Sequence, residues 1–423
     1  MAPVKVVLPN GLRIYTDEMP HTHSVSMGIF TRVGSRYEDD RLSGVSHFLE
    51  HMFFKGTAKR PTAKDISEAI EGVGGYINAS TSFDVTTYYC KVANIHTERG
   101  LDVLTDMLTG AVFEPKEIEK ERGVIQEEIK MSLDVPAHWV HQILDEIMWG
   151  DQPLGRDIAG TLETVGAFSR EDLLAYRARH YTAANTVISL AGNFDSTKMV
   201  DAVTSLFASY PTAPLASPYS TVDSPAGPHV HLINKATEQT NFALGQKTFA
   251  YTDPDRWALS VLDNVLGGGM SSRLFQEIRE ERGLAYSVGS YTSEYDDAGK
   301  WVVYGGVEVG KAQAAVAAVV EELRKLRDDG ITDAELTRIK EQVKGGMLLG
   351  LEDTWAVASR NGRHEIRYGE VIPVEQIVAW IEAVSHDDIL RVARRLLRED
   401  NLYLAVIGPH EDKAIFQDAL RMP

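Results

Sequence analysis

One cysteine, Cys90, stands in 423 residues, so no disulfide forms within the chain and no thiolate cluster can hold a metal. No apolar run approaches the roughly 20 residues that cross a bilayer. The opening MAPVKVVLPNGLRIY turns polar too early to resemble a secretory signal. Positive charge is in deficit: 43 Lys and Arg against 61 Asp and Glu leave a formal net charge of −18. That balance counts against sequence-independent nucleic-acid binding, which relies on cationic surface, and it keeps a protein in solution. These absences predict a soluble cytoplasmic protein with no membrane span and no nucleic-acid partner.

Proline is scarce except in one place. Five of the 16 prolines fall between positions 211 and 229, a pattern that predicts an extended linker. It divides the chain into a domain at 1–210 and another at 230–423, each long enough for its own core. Both halves run through a similar order of elements. SVSMGIFTRV (24–33) alternates like a strand, a helix follows from about Ser43, and Thr62 caps a second helix that ends in Gly72, Gly74 and Gly75. Strands at GYINAS and VTTYYCKV precede two long helices. The second half repeats the sequence of types with TNFALGQKTF, DRWALSVLDNVLGG, KWVVYGGVEV and two more helices. The expectation is an internal duplication of the α+β class: two domains, each a mostly antiparallel sheet with helices packed on it.

Within the first half, LSGVSHFLEHMFFKGT (42–57) places His47 and His51 four residues apart with Glu50 between them. A shift of 213 positions lays Leu49 over Leu262 and replaces His47, Glu50 and His51 by Ser260, Asp263 and Asn264. The apolar frame survives without the histidines, so packing does not require them. One helical turn apart, the two imidazoles share a face and can serve one zinc ion. Glu50, about 100° from His51 around the helix, can lean over the open position and take a proton from a water held there. A catalytic zinc needs a third protein ligand. Glu121 and Glu128, two turns apart on EKERGVIQEEIK, are the candidates; one can reach the metal while the other orients a ligand. Glu119 and Glu127 read as a solvated helix face, His138 and His141 as surface or core histidines, and LGGGMSS as a turn without the lysine of a phosphate loop.

Taken with LPNGLRIY, GGYINASTSFDVTTYY, ERGVIQEEI and LGGGMSSRLFQEIREERGLAYSV, the H-x-x-E-H string resembles the pitrilysin/insulinase family of zinc peptidases along essentially the whole chain. It is most similar to the half-size branch that includes mitochondrial processing peptidase and its bacterial relatives. The resemblance implies one Zn2+ per chain held by His47, His51 and Glu128, where 128 − 51 = 77 matches the family spacing and Glu127 is the near miss. It makes Glu50 the general base and Glu121 its supporting glutamate. It implies that Asn78 and Ala79 lie on an edge strand that pairs with an extended peptide, and that Arg279 and Tyr286 hold substrate and stabilise the tetrahedral intermediate. It further implies a dimer that closes around a chamber. Because this chain carries both the metal motif and the Arg–Tyr pair, a homodimer is expected, with a dissimilar partner subunit as the other possibility.

The function expected is a zinc-dependent metalloendopeptidase that hydrolyses extended peptides or presequence-like segments inside the chamber. The contrasting expectation is a non-catalytic assembly subunit or a peptide-binding protein of the same fold, which the presence of His47, Glu50, His51 and Glu128 disfavours.

Overall fold

A computed structural model describes residues 3–222, 227 and 229–422. Of the linker expected at 211–229, residues 223–226 and 228 lie outside the described residues, and 211–222 form neither helix nor strand. The chain divides into two compact units. One comprises residues through Lys130, Asp157–Tyr219 and Met347–Pro373; the other comprises Met131–Arg156, Ser220–Gly346 and Val374 onward.

The first unit holds a six-stranded sheet of β1 (Val4–Val7), β2 (Arg13–Glu18), β3 (Ser24–Thr31), β4 (Tyr76–Thr81), β5 (Thr86–Ala93) and β6 (Thr186–Gly192). The order is β1-β2-β6-β3-β5-β4, with β2 and β6 its one parallel pair and β4 at an edge. The second unit holds β7 (His229–Asn234), β8 (Gln239–Thr248), β9 (Ala285–Glu294), β10 (Gly299–Glu308) and β11 (Tyr403–Gly408), ordered β7-β11-β8-β10-β9. Its single parallel pair, β7 with β11, falls where β2 and β6 fall in the first sheet. Five strands thus repeat in order and sense, and the α+β class with mostly antiparallel sheets holds in both units.

Alternation on β3 shows how the first sheet is filled. Val25, Met27 and Ile29 enter a core shared with α1 (Val45–Phe53) and α3 (Thr97–Gly110), while Ser26, Gly28 and Phe30 face the other side. Helix α2 (Ala63–Glu71) starts as expected at Thr62, whose hydroxyl accepts the Asp65 N–H while the Asp65 carboxylate accepts the Thr62 N–H.

The far face of this sheet is covered by the helix Thr354–Tyr368, from the second half of the sequence. Its Glu365 accepts the Tyr15 hydroxyl at 2.6 Å and the Lys5 ammonium at 2.8 Å. Trp355 stacks on Tyr89 with ring centroids 4.1 Å apart. Gly362 lets Phe30 close in, since a Cβ there would lie 2.3 Å from the ring. The second sheet receives the reciprocal element, α5 (Pro136–Trp149), which follows α4 (Pro115–Asp134). Leu144 and Met148 pack against Gly245 of β8, where a Cβ would lie 2.6 Å from the Met148 sulfur. Each unit therefore takes one covering helix from across the linear division at 211–229. An amphipathic pattern shows that a helix has an apolar face; it does not show which sheet that face will meet.

Candidate metal centre

Helix α1 starts at Gly44 in a left-handed conformation, φ 95°, where a Cβ would sit 2.5 Å from the Ala159 carbonyl oxygen. Only glycine fits. Gly44 cannot cap the helix with a side chain, and the Glu38 carboxylate does so instead. Buried, it accepts the N–H groups of Gly44 and Ser46, both at 2.7 Å. Those are donors that a helix start leaves unpaired, and a negative charge suits that end of the helix. Phe48, Leu49, Met52 and Phe53 then lock the inward face, each contributing about 2 kcal/mol by burial. His47, Glu50 and His51, each half-buried, lie outside that apolar set.

The ring centroids of His47 and His51 lie 4.6 Å apart. Helix α4 passes alongside with its own apolar stripe, Ile118, Ile125 and Ile129, and inserts Glu121 into it at 2% side-chain exposure. One oxygen of Glu121 meets His51 Nδ1 at 2.7 Å and the other meets the Lys55 ammonium at 2.6 Å. Glu128, two turns on, stands 3.6 Å from His51 Nε2. One ligand atom each from His47, His51 and Glu128 lies within 4.8 Å of the others. Glu127 points away, 73% exposed and 2.7 Å from Lys130, and Glu119 pairs with Arg122 at 2.9 Å. The structure thus brings together His47, Glu50, His51, Glu121 and Glu128 and leaves Glu119 and Glu127 on the solvated face.

Electrostatics divide the roles. Burial, helped by the neighbouring His51, pushes His47 down to about 4, leaving it neutral near pH 7 with a lone pair to offer. Burial alone would lower His51 too, but the bond to Glu121 and the charges of Glu128, Glu121 and Glu50 outweigh it and raise the ring. Burial would raise Glu121, yet the bonds from His51 and Lys55 hold it below the usual carboxylate range. Burial raises Glu50, against the opposing bond from Thr81. The Thr81 hydroxyl donates to Glu50 Oε2 and so restrains the carboxylate.

Thr81 ends β4, the edge strand that carries Asn78 and Ala79. Both pair with β5, opposite Tyr89 and Tyr88, and among the described residues no strand lies on the outer side of β4. Arg279 and Tyr286 meet in the second unit. The guanidinium lies 4.8 Å from the Tyr286 ring centre and donates to the Tyr286 carbonyl at 3.0 Å, and the phenol is 77% exposed. His141 shares a hydrogen bond of 3.0 Å with the Tyr291 hydroxyl and is half-buried.

In the second unit the corresponding positions satisfy one another. Asp263 accepts the Ser290 hydroxyl at 2.5 Å and the Trp301 indole N–H at 2.8 Å, and Asn264 donates to the Ser260 carbonyl at 2.8 Å. The helix Asp333–Gly350 starts 218 positions after α4 (333 − 115), which sets Ile339 against Glu121 and Gly346 against Glu128. By contrast, the buried Nδ1 of His47 has no hydrogen-bond partner among the described residues. Two imidazoles and one carboxylate with an adjacent unbound carboxylate form the donor set of a catalytic zinc site, and the residues present fit that ion. Thr81 and Lys55 escaped the sequence reading. Lys55 is signalled by lying one turn beyond His51 on the same face, and Thr81 by ending the strand already singled out.

A duplicated α+β frame with one intact His–His–Glu cluster defines a class of metal-dependent peptidase folds, and comparison with known proteins places the chain within it. Residues 13–162 match the family model described as insulinase (peptidase family M16), and residues 167–343 match that of the peptidase M16 inactive domain. The chain belongs to peptidase family M16. It is 42% identical to an uncharacterized zinc protease of Streptomyces coelicolor, covering 97% of this chain and 90% of that one. It is 41% identical to the uncharacterized zinc protease YmxG of Bacillus subtilis, over 95% and 97%. Among solved structures, a protease from Helicobacter pylori is similar with a TM-score of 0.88 at 23% identity, over 96% and 99% of the two chains. At 19% identity a chain of complex III2 from Candida albicans reaches a TM-score of 0.83, over 99% of each. These likenesses extend the fold alone.

Proposed function

We propose that this chain is a zinc-dependent endopeptidase acting on extended peptides. The observation that carries the reading is the convergence of His47, His51 and Glu128, with Glu50 held beside them by Thr81. The names of its relatives, zinc proteases at 41–42% identity, support the same reading. Zinc, when bound by these three residues, supplies a Lewis acid that polarises a carbonyl and acidifies water. Glu50 accepts the proton of the attacking water and returns it to the leaving amine. Glu121 fixes the His51 ring by holding Nδ1, which leaves Nε2 for the ion. The open edge of β4, with Asn78 and Ala79, binds the peptide backbone by strand addition, and Arg279 with Tyr286 donates to the substrate carbonyl region. The chain works as a homodimer enclosing its substrate, an assembly that sedimentation of the purified protein checks directly.

Hydrolysis of a fluorogenic peptide with and without chelator tests the reading, with Glu50→Gln as the matched variant. Activity is expected to vanish with chelator, to return with zinc, and to fall by about 10²–10⁴ in Glu50→Gln. Hydrolysis that survives both treatments would remove the zinc mechanism. The His47–His51–Glu128 cluster supports this reading over that of a non-catalytic assembly subunit of the same fold.

A further inference from the structure

The Lys55 side chain lies outside the His47–His51–Glu128 cluster, yet its ammonium is ion-paired with the second oxygen of the buried glutamate that holds His51. Lys55 Nζ lies 2.6 Å from Glu121 Oε2, and Glu121 Oε1 lies 2.7 Å from His51 Nδ1. Glu121 is 2% exposed and Lys55 22%. The backbone at Lys55 is pinned as well, its N–H donating to the Met52 carbonyl at the end of α1. Lys55, Glu121 and His51 therefore form a line that runs from the end of the ligand helix, through α4, and back to the ligand.

We propose that Lys55 is a positioning residue for the metal centre: its ammonium fixes the Glu121 carboxylate in the orientation that holds the His51 ring for zinc. This rests on the zinc reading above. A carboxylate hydrogen-bonded at one oxygen and ion-paired at the other with an ammonium 2.6 Å away has one favoured orientation. With Oε2 released, it can rotate about its last bond, and the hydrogen bond to Nδ1 loses its alignment. Partners at this remove from a metal change affinity by about 10–100-fold when lost. A lysine that only stabilised the fold would leave zinc affinity in the folded protein unchanged.

Zinc dissociation constants, measured by competition with a chromophoric chelator on the folded full chain, test the proposal. Lys55→Met is expected to weaken zinc about tenfold, and Lys55→Arg, which restores a cation, to bring it back to within about threefold of the unmodified chain. In a Glu121→Gln background, Lys55→Met is expected to change affinity less than about twofold, because the link it acts through is gone. Wild-type affinity in Lys55→Met, or the same tenfold loss in the Glu121→Gln background, overturns the proposal. Should Lys55→Met not fold, Lys55→Leu, which likewise leaves Oε2 without a donor, carries the comparison with the same expected direction. If the unmodified chain takes up no zinc, the function proposed above fails and this inference falls with it. If it binds one zinc and the Lys55 variants bind equally tightly, only this inference fails.

Discussion

Glu127 and Glu128 are neighbours in sequence, and spacing alone separates them by a single position. The structure separates them by direction: Glu127 faces Lys130 in solvent, whereas Glu128 faces His51. Glu128→Ala is expected to abolish stoichiometric zinc uptake, measured by elemental analysis after gel filtration, and Glu127→Ala to leave it intact. The reverse pattern would move the third ligand to Glu127. His47, Glu50 and His51 were legible as candidates because chemistry and period coincide on one short helix whose repeat packs without them. Thr81 was not, because a strand end finds its partner only once β4 has closed on α1, nor was Glu38, which caps α1 from beyond the Gly44 N-cap position where a capping side chain is sought.

At the level of elements, helix ends do much of the placing. Glu38 caps α1 from outside the helix, so Glu38→Ala leaves two buried N–H groups unpaired and is expected to cost about 2 kcal/mol in urea unfolding. In the second unit Thr332 and Glu335 cap the helix Asp333–Gly350, and Arg273 grips the same glutamate at 2.7 Å. Burial would raise Glu335, but the Arg273 bond and the Thr332 N–H outweigh it and hold the carboxyl at about 2 instead of 4.5. The unfolded chain therefore binds this proton first. The stabilisation is complete above about pH 4.5 and is lost as pH falls towards 2. Glu335→Gln is expected to cost about 2 kcal/mol at pH 7 and to unfold with a flatter acid dependence across that window, as thermal scans at pH 7, 4 and 3 would show. The Thr62 cap and the strand alternation of β3 were readable beforehand because their causes are local. The edge position of β4 could be named only through family likeness, since period shows that a strand exists and not where it sits.

For the whole molecule, the reciprocal helices decide what can fold alone. A fragment ending at residue 210 lacks Thr354–Tyr368 and leaves Tyr15, Phe30 and Val187 uncovered on the far face of the first sheet. That fragment is expected to bind a hydrophobic dye and to melt without a cooperative transition. A sharp melt like that of the intact chain would show that the covering helix is dispensable. Among the described residues no helix is long and apolar enough to cross a membrane. The duplication was legible in the order of elements, while the exchange of α5 and Thr354–Tyr368 was not, because both helices carry the same kind of apolar face.

The exchange also sets a schedule for synthesis. The first sheet has all its strands once β6 is made, yet its far face stays bare until Tyr368 leaves the ribosome. At about 5–20 residues per second, that wait is on the order of 10 s, during which the unit that carries the His47–His51–Glu128 cluster is unfinished. Meanwhile α5, already made, waits for a sheet whose last strand, β11, comes near the end of the chain. Both units are therefore completed late, and a ribosome that stalls before Thr354 releases a first sheet with a bare far face and a second sheet without β11.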